Sequence, residues 1–179
     1  MKIGKAAKRY ARALFELARE ENRLDAVHGD MKTIHGWLNE SAAFAEFVRN
    51  PVIPPDTRSE LMNKLLGDRA EPLTGRFLRF LDSKDRLEDL EAVCEVFDEI
   101  YDDRHNILKI EIVSATPLTE EQNEQIRTRF GSRLDKQIQS QTAIDPTLLG
   151  GFKVRVKDTI YDYSLQAQLE ALRTRLLHA

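Results

Sequence analysis

The apolar residues of this 179-residue chain recur at helical spacings of three and four from Ile3 to about Tyr101, and at Leu108, Ile110 and Ile112 a spacing of two sets in. The first period lines one face of a helix and the second one face of a strand. The switch predicts an α+β chain in two parts: a six-helix N-terminal bundle over residues 1–105 and a small mixed α/β domain over 106–179.

Six helices are expected in the first part. One runs from Ile3 to Glu21, and a second carries Leu24, Val27, Met31, Ile34 and Leu38. Ser41 caps a short third that buries Phe44, Phe47 and Val48 and stops at Asn50-Pro51, because a residue before proline disfavours helical angles. Pro54-Pro55-Asp56 opens a fourth with Leu61, Met62, Leu65 and Leu66 inward, ended by Gly67. Pro72 starts a fifth with Leu73, Phe77, Phe80 and Leu81 on one side, and the sixth carries Leu87, Leu90, Val93, Phe97 and Ile100.

In the second part Leu108, Ile110 and Ile112 alternate with Lys109 and Glu111 as a half-buried strand. Thr119 and Gln122 form a capping box for a helix carrying Ile126 and Phe130. Residues Ile138 to Ile144 read as a weaker strand, and Phe152, Val154 and Val156 as a third, entered through Gly150-Gly151. Ser164 caps a closing helix whose stripe is Leu165, Leu169, Leu172 and Leu176.

Charge and composition exclude several functions. With 27 basic and 30 acidic residues mixed along the chain, the net charge of -3 supplies no basic face for nucleic acid or anionic lipid. A single cysteine, Cys94, neither closes an internal disulfide nor builds a zinc site, which fits a reducing cytoplasm. No apolar run approaches the roughly 18–20 residues that span a bilayer, so no direct membrane insertion is expected. The basic start, Lys2, Lys5, Lys8, Arg9 and Arg12, superficially matches a transit peptide, but its apolar stripe continues through Leu17 and Ala18 among acids and reads as the first helix of the fold.

Candidate chemistry reduces to structure. Gly150-Gly151 lacks both phosphate-loop and dinucleotide patterns and reads as a turn. His28, His35, His105 and His178 are scattered, with His28 and His35 read as surface residues of a solvated helix. Asp102, Asp103, Asp158 and Asp162 read as loop acids rather than catalytic or magnesium-binding groups, and Cys94 as a packed small residue. No catalytic residue, cofactor or metal is expected.

The first helix carries more apolar surface than a core requires. Ile3, Ala6, Ala7, Tyr10, Ala11, Ala13, Leu14, Phe15, Leu17 and Ala18 fill an arc of roughly 200° at 100° per residue, about twice what a core-facing helix uses. The fifth helix is similar: Leu73, Phe77, Leu78, Phe80 and Leu81 span roughly 160°. Two readings remain open on periodicity alone. Either both helices are central and buried on several sides, or together they frame a groove for an amphipathic helix that the chain does not supply.

These residues resemble the delta subunit of F-type ATP synthases, the counterpart of the mitochondrial oligomycin-sensitivity-conferring protein. Arg9 to Ala18, RYARALFELA, is similar to the family's RYAxALFxLA; Asn50-Pro51 with Ile53 to its NPxI; Asp85-Arg86-Leu87 to its polar turn ending in Arg-Leu; and Ala115 to Thr119 to its A-x-PL[ST]. Most specific is Asp145-Pro146-Thr147-Leu148-Leu149-Gly150-Gly151-Phe152, which resembles DPxLIGGF; Asp158 through Leu165 then resembles the closing D…D.S segment, with a departure at Tyr163 and a second, just before the segment, at Lys157.

The resemblance implies a non-catalytic stator subunit of a proton-translocating ATP synthase. The N-terminal bundle would bind the N-terminal segment of an alpha subunit, through Tyr10, Ala13 and Leu14 of the first helix and Phe77 and Phe80 of the fifth. The second domain would hold the peripheral-stalk b subunits, with the last helix and the strand after Gly151 as candidates. Such a protein is expected at the cytoplasmic face of a bacterial inner membrane, a bacterial source fitting a sequence that begins with the fold's first helix. A generic adaptor for another amphipathic segment is the alternative.

Overall fold

The computed structural model describes residues 4–50, 53–67 and 70–177. Lys2, Ile3, Pro51 and His178, used in the reading above, lie outside them. The chain forms two compact units, Met1–Asp102 and Asp103–Ala179. The described residues hold eight α-helices and one four-stranded mixed sheet, an α+β fold.

The first unit contains α1 (Lys5–Glu20), α2 (Leu24–Glu40), α3 (Ala42–Arg49), α4 (Pro55–Leu66), α5 (Pro72–Ser83), a 3-10 turn at Leu87–Asp89, and α6 (Leu90–Arg104), whose last two residues lie past the unit boundary. Local chemistry sets most boundaries. Ser41 accepts from the Phe44 N–H at 3.2 Å, Gly67 takes a φ of +64°, and Pro72 occupies the first turn of α5. Asn22 and Asp85 take positive φ just beyond α1 and α5, where their short polar side chains tolerate the left-handed region. The core gathers Leu14, Met31, Ile34, Leu81, Leu90, Val93 and Phe97, each almost wholly buried. Ala7, Ala11 and Ala18 are also fully buried, and their small side chains let neighbours close on α1.

Asp102 and Asp103, read as loop acids, belong instead to the last turn of α6. Two further expectations are corrected. Leu61 and Leu65 of α4 face outward, 41% and 52% exposed, while Met62 and Arg58 are buried, so α4 turns a different side to the core than its leucines suggested. His28 is not a solvated residue: it is half-buried, lies 2.9 Å from Asp98, and stacks on Tyr101 with ring centroids 3.5 Å apart. The Tyr101 hydroxyl donates to Asp25 at 2.8 Å. Burial, then that hydrogen bond, pushes the hydroxyl up to about 12. Cys94 is buried on α6, and burial raises its thiol far above the usual range, which suits packing rather than nucleophilic chemistry.

The second unit runs β1 (Ile107–Ser114), α7 (Glu120–Leu134), β2 (Gln137–Ile144), β3 (Phe152–Val156), β4 (Thr159–Asp162) and α8 (Leu165–Leu177). Sheet order is β2-β1-β3-β4, with β1 parallel to β2 across the α7 crossover and the other neighbours antiparallel. The capping box at Thr119 and Gln122 is formed in both directions. Ile126 and Phe130 of α7 pack on Leu108, Ile110, Ile112, Ile138 and Val154, the alternate residues of three strands. Strand β4 escaped the sequence reading. Its two-residue turn, Lys157-Asp158, lacks the glycine or asparagine that marks a hairpin, although Lys157 takes a φ of +50°.

A candidate helix-docking surface

Helix α1 carries two neighbouring apolar stripes. Ala7, Ala11, Leu14 and Ala18 follow spacings of four, three and four and are fully buried, with Phe15 beside them. Ala6, Tyr10, Ala13 and Leu17 repeat the same spacings one residue back, hence about 100° around the helix. Of these, Ala6 and Tyr10 are half-buried, Ala13 is exposed, and Leu17 is 46% exposed. The broad arc is therefore divided between a core face and a face that the unit leaves open.

Helix α5 supplies the adjoining side. Leu73, Phe77, Leu78 and Leu81 are buried, but Phe80 is 45% exposed and sets its ring edge-on to Tyr10, centroids 6.0 Å apart. Cations sit over both rings: the Arg9 guanidinium 5.1 Å from the Tyr10 centroid and the Lys84 ammonium 5.8 Å from that of Phe80. The surface is thus an apolar strip with a cation over each of its two rings and the exposed acids Glu16 and Glu20 along its α1 edge. Of the five residues named for it from sequence, the structure brings Tyr10 and Phe80 into contact and leaves Ala13 accessible. Leu14 and Phe77 lie beneath it in the core, where they support the strip rather than face a partner. Leu17, outside that set of five, extends it by one turn.

Polar residues that periodicity does not reveal hold α5 in place. Glu71, the residue before α5, makes no side-chain cap. Asp30 of α2 substitutes, accepting from the Glu71 N–H at 2.9 Å and the Thr74 hydroxyl at 2.6 Å, with its negative charge at the positive end of the helix dipole. Arg76 pairs with Glu21 just beyond α1 at 2.9 Å. Near its other end Asp82 meets Arg58 of α4 at 2.7 Å, both side chains being more than nine-tenths buried, and Arg58 also donates to the Asn50 carbonyl at 3.0 Å. The one sequence signal was negative: a helix start at Glu71-Pro72 without Ser, Thr, Asp or Asn needs an acceptor from elsewhere.

The second unit presents its own apolar surface. Asp145 accepts from the Thr147 N–H at 2.9 Å and the Thr147 hydroxyl at 2.6 Å, bonds that hold its carboxyl below the ordinary 3.8. Pro146 follows, Leu148 turns inward, and Gly150 and Gly151 take φ of +155° and +79°. A Cβ on Gly151 would sit 2.4 Å from the Tyr163 carbonyl oxygen. Gly151→Ala is expected to cost about 1–3 kcal/mol through strain and overpacking, measured by denaturant unfolding. Phe152 begins β3, its carbonyl accepting from the Tyr163 N–H at 2.9 Å. The Tyr163 ring packs 5.3 Å from that of Phe152, so this departure from the DPxLIGGF family's small residue is absorbed by an aromatic contact.

Asp162 accepts from the Ser164 N–H at 2.9 Å, which lowers its carboxyl, and Ser164 caps α8 through the Ala167 N–H at 3.2 Å. Beyond that cap the expected stripe is present but uncovered. Leu165, Leu169, Leu172 and Leu176 are 48–72% exposed. No helix among the described residues is long and apolar enough to cross a membrane.

A family model described as ATP synthase delta (OSCP) subunit matches residues 6–176. The chain is 35% identical over 172 residues to a protein of Salinibacter ruber named ATP synthase subunit delta, covering 96% of this chain and 90% of that one. A protein of the same name from Chlorobaculum parvum is 33% identical, over 96% of this chain and 95% of its own. A chain in the cryo-EM structure of the Toxoplasma gondii mitochondrial ATP synthase hexamer is alike in fold, with a TM-score of 0.74 over 97% of this chain and 98% of that one at 23% identity.

Proposed function

Because this chain belongs to the ATP synthase delta (OSCP) subunit family and is a structural rather than a catalytic subunit, we propose that it is a stator that ties the catalytic head to the peripheral stalk. Residues 1–105, acting as a six-helix bundle, bind the N-terminal segment of an alpha subunit, and residues 106–179 bind the ends of the b subunits. The observation that carries this reading is the outer stripe of α1, Tyr10, Ala13 and Leu17 beside Phe80, an apolar strip that the described residues of the first unit leave open. Its spacing suits one amphipathic helix laid along α1 and α5.

The role is mechanical. Rotation driven by proton flow performs work on the catalytic sites only if the head is held still, and a link between head and stalk resists that torque without touching nucleotide. This reading places the protein peripherally at the cytoplasmic face of a bacterial inner membrane, assembled through its partners.

For the stalk, the exposed leucines of α8 supply the contact, with the surface about β3 beside them. A native chain is expected to bind an alpha N-terminal peptide in calorimetry and to retain b subunits in a pull-down from detergent-solubilised membranes. Leu169→Glu with Leu172→Glu should reduce b recovery at least about tenfold while leaving peptide binding and circular dichroism unchanged, because both side chains are already exposed. Equal recovery of b by the double variant would remove α8 from the proposal, and absence of alpha-peptide binding by the native chain would overturn the head contact.

A further inference from the structure

Helix α7 carries Arg129 and Arg133 one turn apart, both exposed. The positions three and four residues away from them hold Gln125, Ile126, Phe130, Ser132, Lys136 and Gln137, with no acid at any. Neither arginine has an acidic partner among the described residues, whereas Arg127 on the same helix pairs with Glu124 at 3.0 Å. Like charges at this spacing disfavour the helix unless something neutralises them.

Arg129 and Arg133 line a cavity of about 320 Å³, together with Ile126, Phe130, Phe152 and Tyr163. Ile126 and Phe130 are buried, and the Tyr163 ring stands edge-on to Phe130, centroids 6.5 Å apart. We propose that this cavity binds a small amphipathic monocarboxylate, its apolar body against the rings of Phe130, Phe152 and Tyr163 and its carboxylate on Arg129 and Arg133. A guanidinium presents a planar fork that pairs with a carboxylate through two parallel hydrogen bonds, and two arginines one turn apart on a helix can share a single anion. The volume equals about ten waters, room for a ligand of roughly ten non-hydrogen atoms. It is lined by none of the exposed leucines of α8.

Octanoate is the probe, titrated into the full chain by calorimetry and followed by amide chemical shifts, with 1-octanol as the uncharged analogue. Saturable binding is expected, with shifts centred on α7, Phe152 and Tyr163. Arg129→Gln with Arg133→Gln should weaken octanoate at least tenfold, and 1-octanol should bind the native chain at least tenfold more weakly than octanoate. Both substituted side chains are exposed, so the variant retains its fold, checked by the dispersion of the same spectra. No binding of octanoate by the native chain, equal binding by the double variant, equal binding of octanol, or shifts confined to α8 would each overturn the proposal. A chain that binds octanoate but no alpha peptide would leave this site standing while overturning the head contact.

Discussion

Asp82→Ala is expected to destabilise the first unit by about 3–5 kcal/mol, because it strands the Arg58 guanidinium without its counter-charge in the interior. The two side chains are 6% and 3% exposed, so solvent cannot take over the lost partner. For a unit of this size the loss corresponds to a fall in Tm of roughly 12–40 °C, at about 4–8 °C per kcal/mol. Removing both charges is a different experiment. Arg58→Met with Asp82→Leu should recover most of the stability, since it deletes the buried charges together with their desolvation cost. Thermal unfolding of the two variants checks the pair, and a double variant as unstable as Asp82→Ala would show that packing around α4, not charge, is at stake. Phe80 lies two residues before Asp82 on α5, so affinity for the alpha peptide should fall with the single substitution and return with the double.

Ala13→Arg should weaken binding of an alpha N-terminal peptide by more than about 100-fold, roughly 2.7 kcal/mol, while changing stability by less than about 0.5 kcal/mol. Ala13 is exposed at the middle of the outer stripe, between Tyr10 and Leu17, so the added side chain disturbs nothing in the folded unit. Arginine is also a good helix former, so α1 itself should persist. What changes is the approach: a small residue lets a second backbone come close, and a long cation both blocks it and must be desolvated against an apolar helix. Calorimetry with the peptide, alongside thermal unfolding of the variant alone, separates the two effects. Unchanged affinity would remove Ala13 from the proposed contact.

Much of the fold was legible because the signals are local. Ser41, Gly67, Pro72, Thr119 with Gln122, and Ser164 act on backbone within a few residues, and each does so in the structure. The misreadings share a different origin. Leu61 and Leu65 continue an apolar pattern on α4, yet which flank of a helix meets the core depends on where other helices lie. His28 looks solvated in its own helix and gains Asp98 and Tyr101 only from α6. Strand β4 hid behind a turn without glycine, and the pairing that makes it a strand comes from β3.

The candidate site divides in the same way. The roughly 200° arc of α1 is a property of its own spacing, and it already contained both stripes, core-facing and open. That Ala7, Ala11, Leu14 and Ala18 are covered while Ala13 and Leu17 are not is decided by the helices that pack against α1. So too for α8: its leucine stripe is evident in the chain, but exposure identifies it as a face awaiting something else. Asp30 at the start of α5, and Arg58 with Asp82 near its end, unite residues 24 to 44 positions apart. By itself the sequence determined periods, caps and turns, since these depend on neighbours along the chain. Only the tertiary structure decided which apolar surface is core and which is open, because burial is a relation between segments and no segment carries it alone.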